Sequence, residues 1–266
     1  MKHTHITVFG DDPRLEYVNR ELCALGYSSE YFPGAGPDQA GKPVSSDCLV
    51  FPLFPPIKLL TRALDYGNGN ALFCAGLPSK EFILMANEHG FSVYDYMSDP
   101  HVTMLNGVAT AEGAIAEAIR LSPRTLQDAN GLVIGFGRCG ELLSLKCRSL
   151  GCDLTVYDWN PHALSHAQAH GFSVIEELSD LGPYDLIFNT APYLNLTAEV
   201  LSTAVEDVAI IDLSSSPGGT DFAYCKQQGI KAKLCPSLPA IYAPKTSGII
   251  LAHAIHNRLV KLQISS

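Results

Sequence analysis

The chain has 266 residues and a formal net charge of -9, so it is long enough for two domains of ordinary size. The acidic balance, without any cluster of Lys and Arg, excludes general binding to nucleic acid. No run approaches the roughly 20 apolar residues of a membrane span, and the opening MKHTHITVFGDD lacks the pattern of a secretion signal. We expect a cytoplasmic globular protein that binds neither nucleic acid nor membrane.

The first part of the chain alternates short apolar, β-rich runs with helix-like segments. Strands are predicted at HITVF (5–9), YSSEYF, CLVF, NALFC and FSVYDY, and helices at 13–25 and 78–89. Glycine- and proline-rich breaks are predicted at 33–43 and 51–58. The eight cysteines are scattered and form no Cys-x-x-Cys pair, which favours reduced, buried thiols.

From Gly131 the alternation restarts with strand-like GLVIG, DLTVYD, FSVI, YDLIFN, VAIIDL and IKAKL, and helices are predicted between most of them. Strands alternating with helices indicate parallel sheets built from βαβ units. Two longer helices, predicted at 107–121 and 246–262, interrupt this rhythm. We interpret them as the crossing from a first domain to a second and the return, which leaves a ligand cleft between two α/β domains.

The second alternation opens with a glycine motif of the form GxGxxG, made by Gly135, Gly137 and Gly140. The motif follows a predicted strand and begins a predicted helix, as the dinucleotide fingerprint requires. The first glycine permits the tight turn, the second lets the backbone approach a pyrophosphate, and the third allows the helix to pack on the strand. Arg138 and Cys139 lie within the motif, at a helix N-terminus that attracts phosphate.

The next strand ends at Asp158, 18 residues after Gly140, where an acidic side chain binds the ribose 2′-hydroxyl of NAD. Asp158 would repel a 2′-phosphate, so NAD is favoured over NADP. Trp159 either flanks the adenine or covers the strand end. The turn Asn189–Thr190–Ala191–Pro192 is expected near the nicotinamide half of the cofactor, although Asn and Pro serve turn chemistry equally well.

The predicted fold class is therefore α/β, with two doubly wound parallel-sheet domains of the Rossmann type joined by two long helices. The predicted boundaries are residues 1–105 with 246–266 for a substrate-side domain, 106–122 for the connecting helix and 123–245 for an NAD(P)-binding domain.

Four polar segments fall at the ends of predicted strands or in the long helices. They are GDDPR (10–14), HVTMLNGVATAEG (101–113), SSSPGGTDF (214–222) and PSLPAIYAPKTSG (236–248). Hydroxyl groups, glycine N–H donors and the cations Arg14 and Lys245 together predict an anionic small-molecule ligand.

These segments carry a family resemblance. DLSSSPGGTDFAYCKQQGIKA, followed by LCPSLPAIYAPKTSGIILA, resembles the A subunits of dipicolinate synthase. The resemblance extends to residues at both earlier polar segments, namely Gly10, Asp12, Arg14, Asn106, Thr110, Glu112 and Gly113. The chain departs from the family pattern where Ser237 and Ala240 replace glycines, and where Asp158 stands in place of residues that suit NADP in some relatives.

The resemblance implies NAD(P)-dependent oxidation of a hydroxylated tetrahydro- or dihydro-dipicolinate, derived from the lysine pathway, to pyridine-2,6-dicarboxylate. It also implies the mother-cell cytoplasm of a sporulating bacterium, the flavoprotein-like B subunit of dipicolinate synthase as partner, and a homo-oligomer. Two alternatives remain open: a nucleotide-binding partner protein that does no hydride transfer, and a related hydroxy- or amino-acid dehydrogenase.

The candidate site residues follow from the polar segments and the resemblance. A proton must leave the ring, and the predicted catalytic groups are His101, Asp212 and Lys245, with Asp221 and Tyr242 as further titratable candidates. The predicted substrate-binding residues are Asp12, Arg14, Thr110, Glu112, Ser214, Ser215, Gly218, Gly219, Thr220 and Thr246. Roles outside the site remain open for two of these residues. Lys245 would then be a solvated surface charge, and Glu112 would stabilise the N-terminal part of its helix.

Three histidines, His162, His166 and His170, share one face of a predicted helix at spacings of four residues. Such a face is a tempting metal site, but the sequence places no Cys or carboxylate to complete a ligand set. We therefore expect a solvated helix face and no metal.

Overall fold

The computed structural model of the protein describes residues 4–34 and 45–264. Most of the break predicted at 33–43 therefore lies outside the described residues. The chain divides into two compact units, Met1–Asn106 with Ala243–Ser266 (unit 1) and Gly107–Tyr242 (unit 2). Across the described ranges, none of the helices combines the length and apolarity needed to cross a membrane.

Unit 1 is built on a five-stranded parallel sheet. Its strands are β1 (His5–Phe9), β2 (Ser28–Phe32), β3 (Ser46–Leu53), β4 (Gly67–Gly76) and β5 (Ser92–Asp95), in the order β2-β1-β3-β4-β5. Its helices are α1 (Pro13–Ala24), α2 (Ile57–Ala63), α3 (Lys80–Glu88), the start of α4 (Pro100–Leu121) and α10 (Pro244–Ile264). The strand order reverses between β1 and β3, which is where ligands bind in open α/β sheets.

Both faces of this sheet are covered. On one face, α1 packs against α10 closely enough that a Cβ on Gly248 would lie 2.5 Å from the carbonyl oxygen of Arg14. The other face carries an aromatic cluster, in which the rings of Phe73 and Phe91 stack with centroids 4.4 Å apart. Burial on both sides explains the apolar runs in the central strands β1, β3 and β4.

Unit 2 is built on a six-stranded parallel sheet. Its strands are β6 (Asn130–Ile134), β7 (Asp153–Tyr157), β8 (Ser173–Ile175), β9 (Leu186–Asn189), β10 (Ala209–Asp212) and β11 (Lys231–Leu234), in the order β11-β10-β9-β6-β7-β8. The helices after the end of α4 are α5 (Arg138–Ser149), α6 (Pro161–Ala169), α7 (Ala198–Leu201), α8 (Phe222–Gln228) and α9 (Leu238–Tyr242).

The strand order of unit 2, taken from its first strand, is the 3-2-1-4-5-6 order of dinucleotide-binding domains, with its reversal between β6 and β9. The predicted fold class, two doubly wound α/β units of the Rossmann type, is therefore confirmed. Every predicted strand segment overlaps one of the strands in the described ranges.

Three helices begin at residues that differ from the predicted boundaries. Helix α4 begins at Pro100 rather than at residue 107, and Asp99 Oδ1 accepts the N–H of His101 at 2.8 Å at its start. Helix α10 begins at Pro244 rather than at Thr246, with proline at the first helical position, where its missing N–H costs nothing. Helix α2 occupies part of the predicted break at 51–58.

The aromatic face of unit 1 provides a stability test. Phe73→Ala removes a fully buried ring, so we expect the free energy of unfolding to fall by about 3–5 kcal/mol. Leu84→Ala is the matched control, because Leu84 is 62% exposed and its loss should cost less than about 0.5 kcal/mol. Urea denaturation measures both, and similar losses for the two variants would contradict this packing.

Candidate functional site

The glycine motif of unit 2 forms a tightly packed turn between β6 and α5. Gly135 has a φ of 93°, which favours glycine, and a Cβ there would lie 2.6 Å from Thr190 Oγ1. A Cβ on Gly140 would collide with the carbonyl oxygen of Gly135. The first and third glycines of the motif are therefore required for close packing of the helix on the strand.

Gly137 differs from these two, because its surroundings are open. It is the N-cap of the 12-residue helix α5 and makes no side-chain cap hydrogen bond. A Cβ added there would meet nothing within 4 Å. The structure thus leaves space in front of the helix N-terminus, where N–H groups and the helix dipole favour a phosphate.

Asp158 lies directly after β7 and ties that strand end to the glycine motif. Its Oδ2 accepts the N–H of Phe136 at 2.7 Å, and its Oδ1 accepts the N–H of Asn160 at 2.9 Å. The carboxylate is therefore fixed beside the loop where the sequence predicts a ribose contact. Trp159 is 73% exposed, which does not support the interpretation that its indole covers the strand end.

A buried carboxylate, Asp212, organises the carboxyl end of β10. The side chain is completely buried, and its two oxygens accept five hydrogen bonds. Oδ1 accepts Asn189 Nδ2 (3.1 Å) and the N–H and hydroxyl of Ser214 (3.0 and 2.6 Å). Oδ2 accepts the N–H of Gly219 (2.8 Å) and the hydroxyl of Thr220 (2.7 Å).

These contacts change the interpretation of the segment 214–222. Several donors predicted to bind a substrate carboxylate, at Ser214, Gly219 and Thr220, already bind Asp212. The N–H of Gly218 donates to the carbonyl of Ser215 at 2.9 Å, and Ser215 itself is exposed. Asp221, a titratable candidate, caps helix α8 by accepting the N–H of Tyr224 at 2.9 Å.

The turn after β9 belongs to the same arrangement. Asn189 is completely buried and, besides its bond to Asp212, donates to the carbonyl of Ala191 at 3.2 Å. The hydroxyl of Thr190 donates to the carbonyls of Ile134 and Gly135, both at 3.1 Å. Asn189 and Thr190 therefore serve turn chemistry, while Pro192 is exposed beside them.

In unit 1, Asp12 and Arg14 form an ion pair at the end of β1, beside the reversal of strand order. Arg14 Nε and Nη2 bind the carboxylate of Asp12 at 2.9 and 2.5 Å, and the arginine side chain is 5% exposed. Burial lowers the pKa of Arg14, but the hydrogen bond to Asp12, the charge of Asp12 and the interaction with Tyr96 together outweigh burial and leave that pKa raised. Asp12 also caps α1 through the N–H of Arg14.

The other predicted residues are more scattered. His101 in unit 1 is exposed near the start of α4, and Lys245 and Thr246 are exposed in the first turn of α10. In unit 2, Glu112 is exposed and forms an ion pair with Lys146 at 2.9 Å. Thr110, also in unit 2, forms a hydrogen bond with Cys139 in the first turn of α5. Burial raises the pKa of the Cys139 thiol.

Glu117 is a buried acid that the sequence analysis did not predict. Its carboxylate accepts Lys233 Nζ at 2.7 Å and the hydroxyl of Tyr242 at 2.8 Å. These contacts assign Tyr242, a titratable candidate, to a structural network. The available signal was an acidic residue within an alanine-rich apolar stretch of α4.

The histidine face of α6 lies against a carboxylate from another helix. Glu141, from α5, brings its carboxylate to His166 and His170, and the ligand atoms of the three residues lie within 4.8 Å of one another. The statement that no carboxylate completes this face is therefore wrong. Sequence spacing could not show it, because α5 and α6 meet only in the folded unit.

The chain is similar to known proteins in sequence and in fold. The A subunit of dipicolinate synthase from Bacillus subtilis (strain 168) is 36% identical over 165 residues, which are 61% of this chain and 56% of that protein. The crystal structure of the dipicolinate synthase A chain from Bacillus subtilis matches with a TM-score of 0.82 and 24% identity, over 100% of this chain and 99% of the other. The resemblance to the A subunits of dipicolinate synthase is confirmed.

Two further solved structures share the two-unit α/β fold of this chain. The A subunit of dipicolinate synthase from Bacillus halodurans matches with a TM-score of 0.80 and 26% identity, over 98% of this chain and 97% of the other. An L-alanine dehydrogenase has the same fold at 15% identity, with a TM-score of 0.72 over 98% and 90% of the two chains. No family model matches the chain. The sequence match to the curated Bacillus subtilis protein spans just over half of that relative.

The Asp212 network has a direct test. Asp212→Asn replaces an acceptor oxygen by an NH₂ group that faces donors, so we expect the free energy of unfolding to fall by about 2–3 kcal/mol. Asp207→Asn, at an exposed position of the preceding turn, is the control. Chemical denaturation reports stability, and hydrogen exchange should show faster exchange of the Gly219 amide. An unchanged Gly219 amide would contradict the network.

Glu117 provides a pH test. The hydrogen bond from Lys233 lowers the pKa of Glu117, and burial opposes this shift. Because the folded-state pKa lies below the unfolded value of about 4.3, the stabilisation is complete above that pH and is lost as pH falls through the folded pKa. Glu117→Gln should be less stable than the parent at pH 7, with a gap that narrows below about pH 4.3.

The control for this titration is Glu206→Gln, at an exposed position. Unfolding curves between neutral and acidic pH should show a constant, small difference for this variant. A gap for Glu117→Gln that is equally constant would contradict the assigned interaction.

Proposed function

We propose that the protein is a nicotinamide-nucleotide-dependent oxidoreductase that acts as the A subunit of a dipicolinate synthase. Its reaction would be the oxidation of a dihydro-dipicolinate, formed by loss of water from a hydroxylated tetrahydro precursor, to pyridine-2,6-dicarboxylate. The observation that carries this proposal is the open position at Gly137, at a helix N-terminus, in a unit with the strand order of dinucleotide-binding domains.

The residues present fit a nicotinamide dinucleotide. Gly135 and Gly140 set the turn, Gly137 leaves room for the pyrophosphate, and Arg138 adds positive charge beside it. Asp158 lies where a ribose 2′-hydroxyl would donate to it, and its negative charge disfavours a 2′-phosphate, so NAD is favoured over NADP. When bound, the nicotinamide ring accepts a hydride from the substrate.

The substrate would be a small cyclic dicarboxylate. Arg14 suits one carboxylate, because Asp12 holds its guanidinium rigid through Nε and Nη2 and leaves Nη1 as the nitrogen for a ligand. Such a preorganised, desolvated cation loses little freedom on binding. Lys245 and Thr246 are proposed for the second carboxylate, because both are exposed at the start of α10.

Formation of an aromatic ring drives the oxidation, so the protein contributes little of the driving force of the reaction. The protein must orient the ring, exclude water and remove one proton. His101 and Lys245 are exposed and remain candidates for the proton acceptor. We assign Asp212 a positioning role, because its oxygens already accept five hydrogen bonds.

The similarity to a protein named as one subunit of a synthase extends the proposal to a partner. We propose a flavoprotein-like B subunit as that partner, homo-oligomerisation of the present chain, and a role in the mother-cell cytoplasm of a sporulating bacterium. Two other functions are kept for comparison. One is a nucleotide-binding partner protein that does no hydride transfer, which fits the assignment of Asp212, one of the three predicted catalytic groups, to a hydrogen-bond network. The other is a hydroxy- or amino-acid dehydrogenase, a class that includes an L-alanine dehydrogenase of the same fold.

The deciding experiment mixes the purified full chain with dihydro-dipicolinate precursor and NAD or NADP, with and without the proposed partner. We expect pyridine dicarboxylate and reduced nicotinamide to appear together in equal amounts, faster with NAD. Product without reduced nicotinamide would favour the non-catalytic role. Reduction of NAD by an amino or hydroxy acid, with none by the cyclic substrate, would favour the dehydrogenase.

Gly137→Ala tests the cofactor site separately from folding. An added Cβ meets no protein atom within 4 Å, so the variant should fold, yet the methyl group occupies the space proposed for the pyrophosphate. We expect the affinity for NAD, measured by calorimetry, to fall about tenfold or more, equivalent to about 1.4 kcal/mol. Gly69→Ala is the matched control, because it is equally open but lies in unit 1; equal affinities in both variants would contradict the site.

A further inference from the structure

We propose that Glu141, His166 and His170 form a binding site for a divalent transition-metal ion such as Zn²⁺. The Nε2 atoms of His166 and His170 lie 3.1 Å apart. Glu141 Oε1 lies 3.5 Å from Nε2 of His170 and 3.9 Å from Nε2 of His166. Three atoms of ligating type thus converge on one point at the surface of unit 2.

These separations fit tetrahedral coordination. Zinc binds imidazole nitrogen at about 2.0–2.1 Å and carboxylate oxygen at about 2.0–2.2 Å. At tetrahedral angles, neighbouring ligand atoms then lie about 3.4 Å apart. The observed distances bracket this value, so an ion requires only small movements of side-chain ends, well within the freedom of a glutamate.

The fold places the three ligands by ordinary packing. His166 and His170 are four residues apart, at the end of α6, so they share one helix face. Glu141 comes from the first turn of α5. The ring of Phe136 packs against both His166 and Phe172, with its centroid 5.7 Å from the centroid of His166 and 5.8 Å from that of Phe172.

A second contact fixes the end of α6. Arg148 Nη1 donates to the carbonyl of His170 at 2.6 Å, and the same guanidinium lies 4.3 Å from the ring centroid of Phe172. The His170 backbone is therefore held from α5, the helix that also carries Glu141. Because Phe136 belongs to the glycine motif, the metal would lie next to the proposed cofactor loop.

The donor set selects the kind of metal. Two imidazoles and one carboxylate suit Zn²⁺, Cu²⁺, Ni²⁺ or Co²⁺, whereas Mg²⁺ and Ca²⁺ prefer oxygen ligands throughout. The side chains of His166, His170 and Glu141 are 50%, 35% and 29% exposed, so an ion reaches them from solvent. The fourth position would be taken by water, as in other sites with three protein ligands.

The test measures Zn²⁺ binding to the full chain without an affinity tag, by isothermal titration calorimetry, and Co²⁺ binding by visible absorption. We expect one ion per chain and an absorption spectrum of tetrahedral cobalt with nitrogen and oxygen ligands. Glu141→Gln, His166→Gln and His170→Gln should each weaken Zn²⁺ binding about tenfold or more. Zn²⁺ should also raise the melting temperature of the parent protein but not of these variants.

Two controls separate the cluster from scattered surface histidines. His162→Gln lies on the same helix but outside the cluster and should bind Zn²⁺ like the parent. His253→Gln removes a histidine that lies 3.1 Å from Glu21, a pair without a second imidazole, and should also change nothing. Melting curves without metal establish that all variants fold.

Three results would overturn the proposal. One is a parent protein that binds neither ion with a dissociation constant below about 100 μM. Another is Zn²⁺ binding that survives unchanged in Glu141→Gln and His170→Gln. The third is a thiolate-to-cobalt absorption band, which would assign the ion to cysteine ligands.

Discussion

A buried carboxylate at the end of a central strand holds together the candidate site of unit 2. Removing the charge of Asp212 from water costs several kcal/mol unless its oxygens are fully hydrogen-bonded. Five donors meet that requirement, and they come from Asn189, the last residue of β9, and from the segment after β10. The need to satisfy one charge therefore fixes the conformation of two loops at the carboxyl ends of neighbouring strands.

Both units use an acidic side chain near the end of a strand to fix the neighbouring loop. In each, an acidic residue follows a strand and fixes the segment beside the reversal of strand order. Asp12 does so for the cation Arg14 in unit 1, and Asp158 for the glycine motif in unit 2. In both cases the acid satisfies backbone N–H groups that the end of a strand or the start of a helix leaves unpaired. The polar groups available for ligands are thereby held in place before any ligand arrives.

Much of the fold and part of the site followed from the sequence. Among the described strands, the central ones were predictable because parallel strands buried on both faces form continuous apolar runs, whereas the edge strands β2 and β11 are partly exposed and mix polar with apolar residues. The glycine motif was predictable because close backbone packing admits no other residue at Gly140. The start of α4 was missed because the polar segment before residue 107 has no apolar periodicity and depends on a local cap at Asp99. Helix α2 was missed because the prolines just before it indicated a break, although Pro56 is the N-cap of the helix and proline is compatible with the start of a helix.

The sequence by itself determined the class of fold, the place of the glycine motif and the acid that follows it, because these depend on local spacing along one βαβ unit. It also showed that the segment SSSPGGTDF (214–222) is unusually polar for the end of a buried strand. Only the tertiary structure decided that this segment binds Asp212, and that Glu141 meets two histidines. Glu141 and the two histidines lie on different helices, and Asn189 is 23 residues from Asp212 along the chain, so these contacts are set by how the strands and helices pack. Ser214, Gly219 and Thr220 are close to Asp212 in sequence, but they reach its carboxylate only because the segment folds back over the end of β10, which residue spacing does not determine.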